Sequence, residues 1–419
     1  MSGASTEERI SVEEALARTL ERVAPLDEEV VALEEGLGRV LSRDVTSDID
    51  VSPFDNSSMD GFAIRCADIA GATPENPIRL TVVGGIGAGN TFGRTLEPGQ
   101  TLRIMTGAPV PAGADAVVKY ELVQGDGSDG FATFTAPAKE GDNIRRAGEE
   151  FRAGDVVMRA GETVNPYAMG MLASAGALEL SVYRRPVVGV FAIGSELVDA
   201  GEKPTPGKIR NSNTACLVGL VRQAGAVARS YPIVPDDRDA IKAALRRALN
   251  ECDMVVSAGG ASKGDFDFIN PVIDEMGEVA YAYISLRPGK RQTMGVVDGK
   301  PVFGLSGNPA AASVGFELLI RPALRRMEGR PDAGRPTVVA RLATPMRKKE
   351  DRRFYDRGEL TRDANGEWLV TPYRSQSSAL LGGLARCNCL MVIPEQCKGL
   401  SAGDPVTCLR IDVPEGTAI

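Results

Sequence analysis

The sequence, 419 residues long, contains no histidine. That absence excludes Ser-His-Asp and Cys-His nucleophile systems, HExxH zinc sites and histidine acid–base catalysis. Any chemistry falls to carboxylates, lysine and arginine, hydroxyls, backbone amides and a hard, oxygen-bound metal ion. Cysteine is sparse and odd in number: Cys66, Cys216, Cys252, Cys387, Cys389, Cys397 and Cys408. Reduced thiols and a cytoplasmic location are therefore expected. The spacing of the last four, C-x-C-x7-C-x10-C, fits no common zinc pattern. No apolar run approaches the ~18 residues of a membrane span. The polar, acidic opening "MSGASTEERISVEEAL" does not read as a signal or transit peptide. Basic residues are not in excess: 48 against 56 acidic ones leave a net charge of -8. This argues against a general nucleic-acid partner and leaves small anionic ligands open. No internal repeat is visible.

What is present is a long chain whose texture changes several times. Its 43% hydrophobic and 25% charged content is that of a soluble globular protein. The length exceeds one ordinary core, so roughly two to four domains are expected. Ser11 with Glu14 makes a capping-box spacing, and Val12, Ala15, Leu16, Thr19, Leu20 and Val23 follow at helical intervals. Residues 46–147 are rich in glycine and proline with short apolar runs, a β-rich insertion into an α+β part made of 1–45 and 148–182. From 183 to 330 strands and helices alternate: "PVVGVFAIG", a helix over 211–225, "ARSYPIV", a helix over 236–250, "DMVVSAGG" and "EVAYAYISL". A hairpin turning at Asp298-Gly299 follows, and then a long helix with Asn308 as cap and Pro309 in its first turn. Such alternation predicts a mostly parallel sheet with helices on both faces. Residues 331–419 are strand-like and predict a small β-barrel. The fold class expected is thus multidomain α/β plus β.

In α/β sheets ligands bind beyond the C-terminal strand ends. The segment "GGASKGDFDF" sits there, offering amides at Gly259, Gly260 and Gly264 and the Ser262 hydroxyl to an anion. It also carries Asp265 and Asp267, which would repel one. A magnesium ion between them and phosphate oxygens removes the conflict; the plain alternative is a strand-to-helix turn with an aspartate as cap. Glu196 in "AIGSELVDAG" and Asp236 in "PDDRDA" follow the neighbouring strands, although Asp236 alone reads as a helix cap. "RPGKRQ" gathers Arg287, Pro288, Gly289, Lys290 and Arg291 around a turn. "LSGNPAA" (Ser306, Gly307, Asn308) aims a helix start at an incoming anion. "FDNSSMDGFAIR", containing Asp60, and "RIMTGAPVPAGADAVV", containing Thr106, read singly as turns. "RKKEDRRFYDRGEL" is a solvated strand pair, a nucleic-acid stripe or an anion trap through Arg352 or Arg353.

Taken in order, "PFDNSSMDGFAIR", "RIMTGAPVPAGADAVV", "NIRRAGEE", "GSEL", "GGASKGDFD", "RPGK" and "SGNP" resemble the molybdopterin molybdenumtransferases. That family includes bacterial MoeA and the E domain of gephyrin. The resemblance spans nearly the whole chain. It implies an elongated β-rich lasso over 46–147, a molybdopterin-binding α/β domain over 183–330 and a C-terminal β-barrel. It also implies the last step of molybdenum cofactor synthesis: adenylylated molybdopterin and molybdate bind, AMP is cleaved off with the help of a divalent metal such as Mg2+, and molybdenum enters the dithiolene. By position, Ser262, Arg287, Lys290, Arg352 and Ser378 match residues that hold molybdate. Asp267 matches the acid linked to adenylate cleavage, with Glu196 and Asp236 beside it as metal ligands. Asp60 and Thr106 match lasso residues supplied by the partner in a homodimer. Arg287 stands where the family usually has lysine, and Ser306 where it usually has proline, so the choice between molybdate and tungstate stays open.

Two other classes compete. Molybdopterin adenylyltransferase shares the α/β domain, but is usually small and carries a "GGTG" turn. A dimeric scaffold like the gephyrin E domain would need no acid set. Downstream, molybdoenzymes and other cofactor-biosynthesis proteins are expected partners; nucleic acid and membrane are not.

Overall fold

The computed structural model describes residues 8–260, 268–331, 334–415 and 417. Contacts divide the chain into two compact units. One runs up to Glu29, includes Gly38–Ser42 and resumes from Val182 onward; the other is Val30–Leu37 with Arg43–Ser181.

The first unit is built on a six-stranded sheet. Its spatial order is Val227–Ser230, Val187–Ala192, Met254–Ala258, Lys300–Leu305, Arg291–Val297 and Glu278–Tyr283. The first four strands are parallel; Arg291–Val297 runs antiparallel to both its neighbours, so Glu278–Tyr283 again points the way of the first four. Strands buried on both faces need apolar residues at successive positions, which is why "VVGVFA" and "MVVSA" are nearly unbroken apolar runs. Val188 and Val190 face one core with Leu217, Val221 and Phe303. Phe191 faces the other with Ile241, Leu245 and Ile273. Each such side chain contributes about 1.5–3 kcal/mol when fully buried. The hairpin closes through Asp298 and Gly299, both with positive φ (52° and 76°) between paired Val297 and Lys300. This is the mirror-image turn that matches strand twist.

Two of the three helix starts are capped by a side chain and one is not. Ser11 caps the helix Val12–Leu20 by accepting from the Glu14 N–H at 3.0 Å. The helix packs on the α/β sheet's edge strand, with Thr19 Oγ1 2.8 Å from the Tyr281 hydroxyl. Asp237 caps Arg238–Glu251, accepting from Ala240 N–H at 2.8 Å. Asn308 precedes Pro309–Gly315 without capping it through its side chain. That helix continues through a π-helical turn, Phe316–Ile320, into Arg321–Met327. Pro322 lies just beyond the wide turn; it has no N–H to give and would clash in a tight α-turn, so the wider turn relieves it.

Beyond this helix the strands Thr337–Leu342, Arg353–Arg362, Trp368–Pro372, Cys389–Ile393 and Pro405–Arg410 close on themselves, because Arg353–Arg362 pairs with both Trp368–Pro372 and Cys389–Ile393. The C-terminal region is thus a closed barrel, filled by residues such as Phe354, Val370, Met391 and Cys408. Cys389 and Cys408 are buried, and all seven cysteines are free thiols. A buried ionic cluster also joins here: Arg321 and Arg325 reach Glu415, and Arg335 reaches Glu317 at 2.9 Å.

The second unit contains a mixed six-stranded sheet, ordered Ala116–Lys119, Gly61–Ile64, Gln100–Ile104, Ile78–Ile86, Phe131–Phe134 and Val123–Gln124. Phe62, fully buried, packs edge-on to Phe134 and stacks on Tyr120. No helix among the described residues is long and apolar enough to cross a membrane.

Candidate active site

Two cavities open at the C-terminal side of the α/β sheet within the first unit. One, about 480 Å³, is lined by Arg287, Pro288, Gly289, Lys290, Arg291, Ser306, Asn308, Arg352, Gln376, Ser377 and Ser378, among others. Its wall has four cations and, among the described residues, no carboxylate. Neither Arg287 nor Lys290 has an ion-pair or hydrogen-bonded side-chain partner among the described residues. The Arg287 guanidinium rests on the Phe354 ring, 4.3 Å from its centroid. Arg352 donates to Leu286 O at 3.2 Å and pairs with Glu350, and burial lowers its pKa. Unpaired cations in a concave wall attract an oxyanion that can take their donors.

The second cavity, about 570 Å³, is lined by Glu196, Asp236, Arg210, Asn211, Asn213, Gly259, Gly260, Ser306, Gly307 and Asn308, among others. Asp236 is not a helix cap, since Asp237 takes that place. Asp236 Oδ2 accepts from Ser195 N–H at 2.8 Å, while its own N–H donates to Ser195 Oγ at 3.1 Å. This reciprocal pair joins the ends of two adjacent strands, so Asp236 and Glu196 enter one cavity.

The structure revises two expectations about amides. Gly259 N–H donates to Leu305 O at 3.0 Å, so it belongs to the sheet and not to a ligand. Glycine is required there for another reason: φ is +100° and a Cβ would lie 2.0 Å from Ile193 O. The helix start at Pro309 is also occupied. Proline has no N–H, Ala310 N–H donates to Ser378 O at 2.9 Å, and Ala311 N–H donates to Asn308 O at 3.0 Å. These amides being engaged, the donors for an anion among the described residues of the cationic wall are chiefly side-chain cations. Of the two arginines proposed as an anion trap, Arg352 lines the cavity, whereas Arg353 pairs with Glu13 and Glu395.

Ser262, Gly264, Asp265 and Asp267 lie outside the described residues. Asp60 and Thr106 lie in the second unit and hold each other. Asp60 Oδ1 accepts from Thr106 N–H at 2.7 Å and from Thr106 Oγ1 at 2.8 Å. The Thr106 amide, first of all, keeps the Asp60 carboxyl below its ordinary pKa. Gln376 and Ser377, and the stretch Arg210–Asn213, were not singled out from sequence. The second has a signal: Asn211 side-chain oxygen accepts from Thr214 N–H at 3.2 Å, an Asx-type helix start, and Asn213 Nδ2 reaches Gly307 O at 2.8 Å.

Over 398 residues the chain is 36% identical to the molybdopterin molybdenumtransferase of Staphylococcus aureus (strain COL), covering 95% of this chain and 94% of that protein. The chain belongs to the molybdopterin molybdenumtransferase family. The Bacillus subtilis (strain 168) enzyme of the same name is 36% identical over 377 residues, 89% of this chain and 87% of its own length. Three family models match in order: the MoeA N-terminal region (domain I and II) over 10–176, a "Probable molybdopterin binding domain" over 189–326, and the MoeA C-terminal region (domain IV) over 339–411. Among solved structures, a molybdopterin biosynthesis MoeA protein of Pyrococcus horikoshii OT3 superposes with a TM-score of 0.81 at 30% identity, covering 96% of this chain and all (100%) of that one. Both cavities of this family member are lined mainly by residues from the second model's range; the third adds Arg352 and residues 376–378 to the cationic one and Ala379 to the acidic one.

Proposed function

We propose that the two cavities serve the two halves of one reaction, the insertion of molybdenum into adenylylated molybdopterin. The chain is a transferase of molybdenum cofactor biosynthesis. The observation that carries the finer reading is the pairing of a cationic cavity with an acidic one across a shared edge, Ser306 and Asn308. Molybdate, a tetrahedral oxyanion, suits Arg287, Lys290 and Arg352; Ser378 lies in the same wall. Tungstate has the same shape and charge and would be accepted by the same groups. The adenylylated substrate suits the acidic cavity, where its phosphates need a cation between them and the carboxylates.

Glu196 and Asp236 fit Mg2+. Both are hard oxygen donors in one wall, and of Asp236 only Oδ2 is engaged among the described residues. The third carboxylate assigned to the ion is Asp267. When bound, the ion would neutralise phosphate oxygens. The chain's own part would be to hold the phosphates beside it, and the task of orienting water for release of AMP is assigned to Asp267 and Asp265. Asp60 and Thr106 would come from the second subunit of a homodimer, whose lasso is residues 46–147. The four-part division 1–45 with 148–182, 46–147, 183–330 and 331–419 belongs to the same reading, as does a cytoplasmic setting with molybdoenzymes as acceptors.

The test is direct. Purified protein given adenylylated molybdopterin, magnesium and molybdate should release AMP and form the molybdenum-loaded dithiolene. Asp267→Asn should stay folded and lose most AMP release. Consumption of ATP with unadenylylated molybdopterin, and no AMP from the adenylylated form, would instead make it an adenylyltransferase.

A further inference from the structure

The cationic cavity has a wall that comes from the barrel: Gln376, Ser377 and Ser378. Behind it lies Arg357, on the strand Arg353–Arg362, with none of its surface exposed. Its Nη2 donates to two carbonyls of that wall, Ser375 O and Ser377 O, each at 3.0 Å. Its backbone N–H donates to Gln376 Oε1 at 2.8 Å, and Gln376 Nε2 donates back to Arg357 O at 2.9 Å. The loop's far end is fixed by Ala310 N–H on Ser378 O. Arg357 Nε and Nη1 have no hydrogen-bond partner among the described residues, and no carboxylate there forms an ion pair with it. A buried guanidinium so poorly satisfied is costly and calls for an explanation. An apolar side chain would fill the same space at lower cost, but could not bond two carbonyls.

We propose that Arg357 is a positioning residue for the cationic cavity: it fixes the 375–378 wall, adds a buried positive charge behind it, and so sets affinity for a tetrahedral oxyanion without touching it. The inference rests on the reading of this cavity as the oxyanion site. Two consequences separate it from a merely structural role. First, molybdate dependence should move while dependence on the adenylylated substrate does not, because the acidic cavity has no residue of this loop except Ala379. Second, stability and affinity should part company. Methionine in place of Arg357 removes an incompletely paired buried charge, so thermal stability should hold or rise as molybdate binding weakens.

The experiment titrates molybdate into the full-length protein at saturating adenylylated molybdopterin, by calorimetry and by AMP release, for wild type, Arg357→Met and Arg357→Lys. Loss of charge-assisted bonds predicts a rise of about tenfold or more in half-saturating molybdate for Arg357→Met. Because one nitrogen makes both carbonyl bonds, a lysine ammonium should restore most of the affinity, to within about threefold of wild type. Gly383→Ala is an independent variant outside the cavity wall. Its Cβ would lie 3.0 Å from Tyr373 Cδ1 and 3.3 Å from Arg357 Nε, pressing on both the start of the loop and the guanidinium, and it should shift molybdate dependence in the same direction by a smaller factor. It decides the matter if Arg357→Met does not fold. Unchanged molybdate dependence in the folded variants, or a parallel loss of response to both substrates, overturns the role of Arg357. No molybdate binding by wild type overturns the cavity reading itself, and this inference with it.

Discussion

The two cavities share an edge and differ in almost everything else. One is walled by Arg287, Lys290, Arg291 and Arg352 with no acid among the described residues; the other carries Glu196 and Asp236 with Arg210, whose Nε is engaged by Glu202 O at 2.8 Å. They also differ in construction. The acidic cavity is made by strand ends and the loops between them. The cationic one is made by a turn of the α/β region together with a barrel loop. Charge of each sign is therefore held on separate backbone elements. In the proposed reaction this would let a metal-assisted step and an oxyanion-binding step sit side by side without Arg287 or Lys290 being neutralised by Asp236. The shared edge, Ser306 and Asn308, is uncharged and belongs to neither field.

The separation can be tested by changing one side and watching both. The largest effect is expected from Glu196→Gln combined with Asp236→Asn. Each lost carboxylate should weaken metal use about 10–100-fold, so AMP release should nearly vanish at ordinary magnesium and return partly at high magnesium. Half-saturating molybdate, measured on the residual activity, should stay unchanged; a matching shift there would show that the cavities are one site. Next is Arg287→Ala. Loss of charge-assisted bonds should raise half-saturating molybdate about 10- to 100-fold, with recovery at high molybdate and an unaltered magnesium requirement. Arg287→Lys keeps the charge but loses the planar fork and its stacking on Phe354, and should show a several-fold rise. An Arg287→Ala protein with wild-type molybdate dependence would mean that this guanidinium serves only the Phe354 contact. The smallest effect belongs to the shared edge. Ser306 Oγ accepts from Asn308 N–H at 3.3 Å. Ser306→Ala should change both magnesium and molybdate dependence by about two- to fivefold or less. A change confined to one would assign Ser306 to that side alone.

Much of this was readable before any coordinates, and the reasons are local. The strands are unbroken apolar runs because both faces are buried, and Asp298-Gly299 announces its turn because both residues take positive φ. "RPGK" and the carboxylates after each strand could be placed because ligands in such sheets gather at one end. The misreadings have one source: a motif states which donors exist, and only the fold states who uses them. "SGNP" promises free helix amides, yet Ser378, seventy residues later, takes the first available one. "GG" at 259 suggests an anion loop, while the amide belongs to the ladder and the glycine to the close approach of Ile193. Arg352 and Arg353 are indistinguishable in sequence; alternation along the chain sends one to the cavity and the other to Glu13 and Glu395. Gln376 and Ser377 had no signal, since their meaning depends on Arg357, nearly twenty residues upstream on a paired strand.

Glu415 has a consequence of its own for handling the protein. It lies within a few residues of the chain's last position, yet its carboxylate is almost fully enclosed and engages Arg321 and Arg325 beside the π-helical turn. Burial pushes its carboxyl pKa up, but Arg321 and Arg325 together outweigh that and hold it below the usual glutamate range. The tail thus acts as a latch stitched into the helix that follows the cavities. Trimming the chain before residue 415, or fusing a bulky tag directly to it, would remove or displace one of the two carboxylates of this buried cluster and leave Glu317 to serve Arg321 and Arg335. A shortened protein that loses activity would then report on an unfastened latch and not on the chemistry of the cavities.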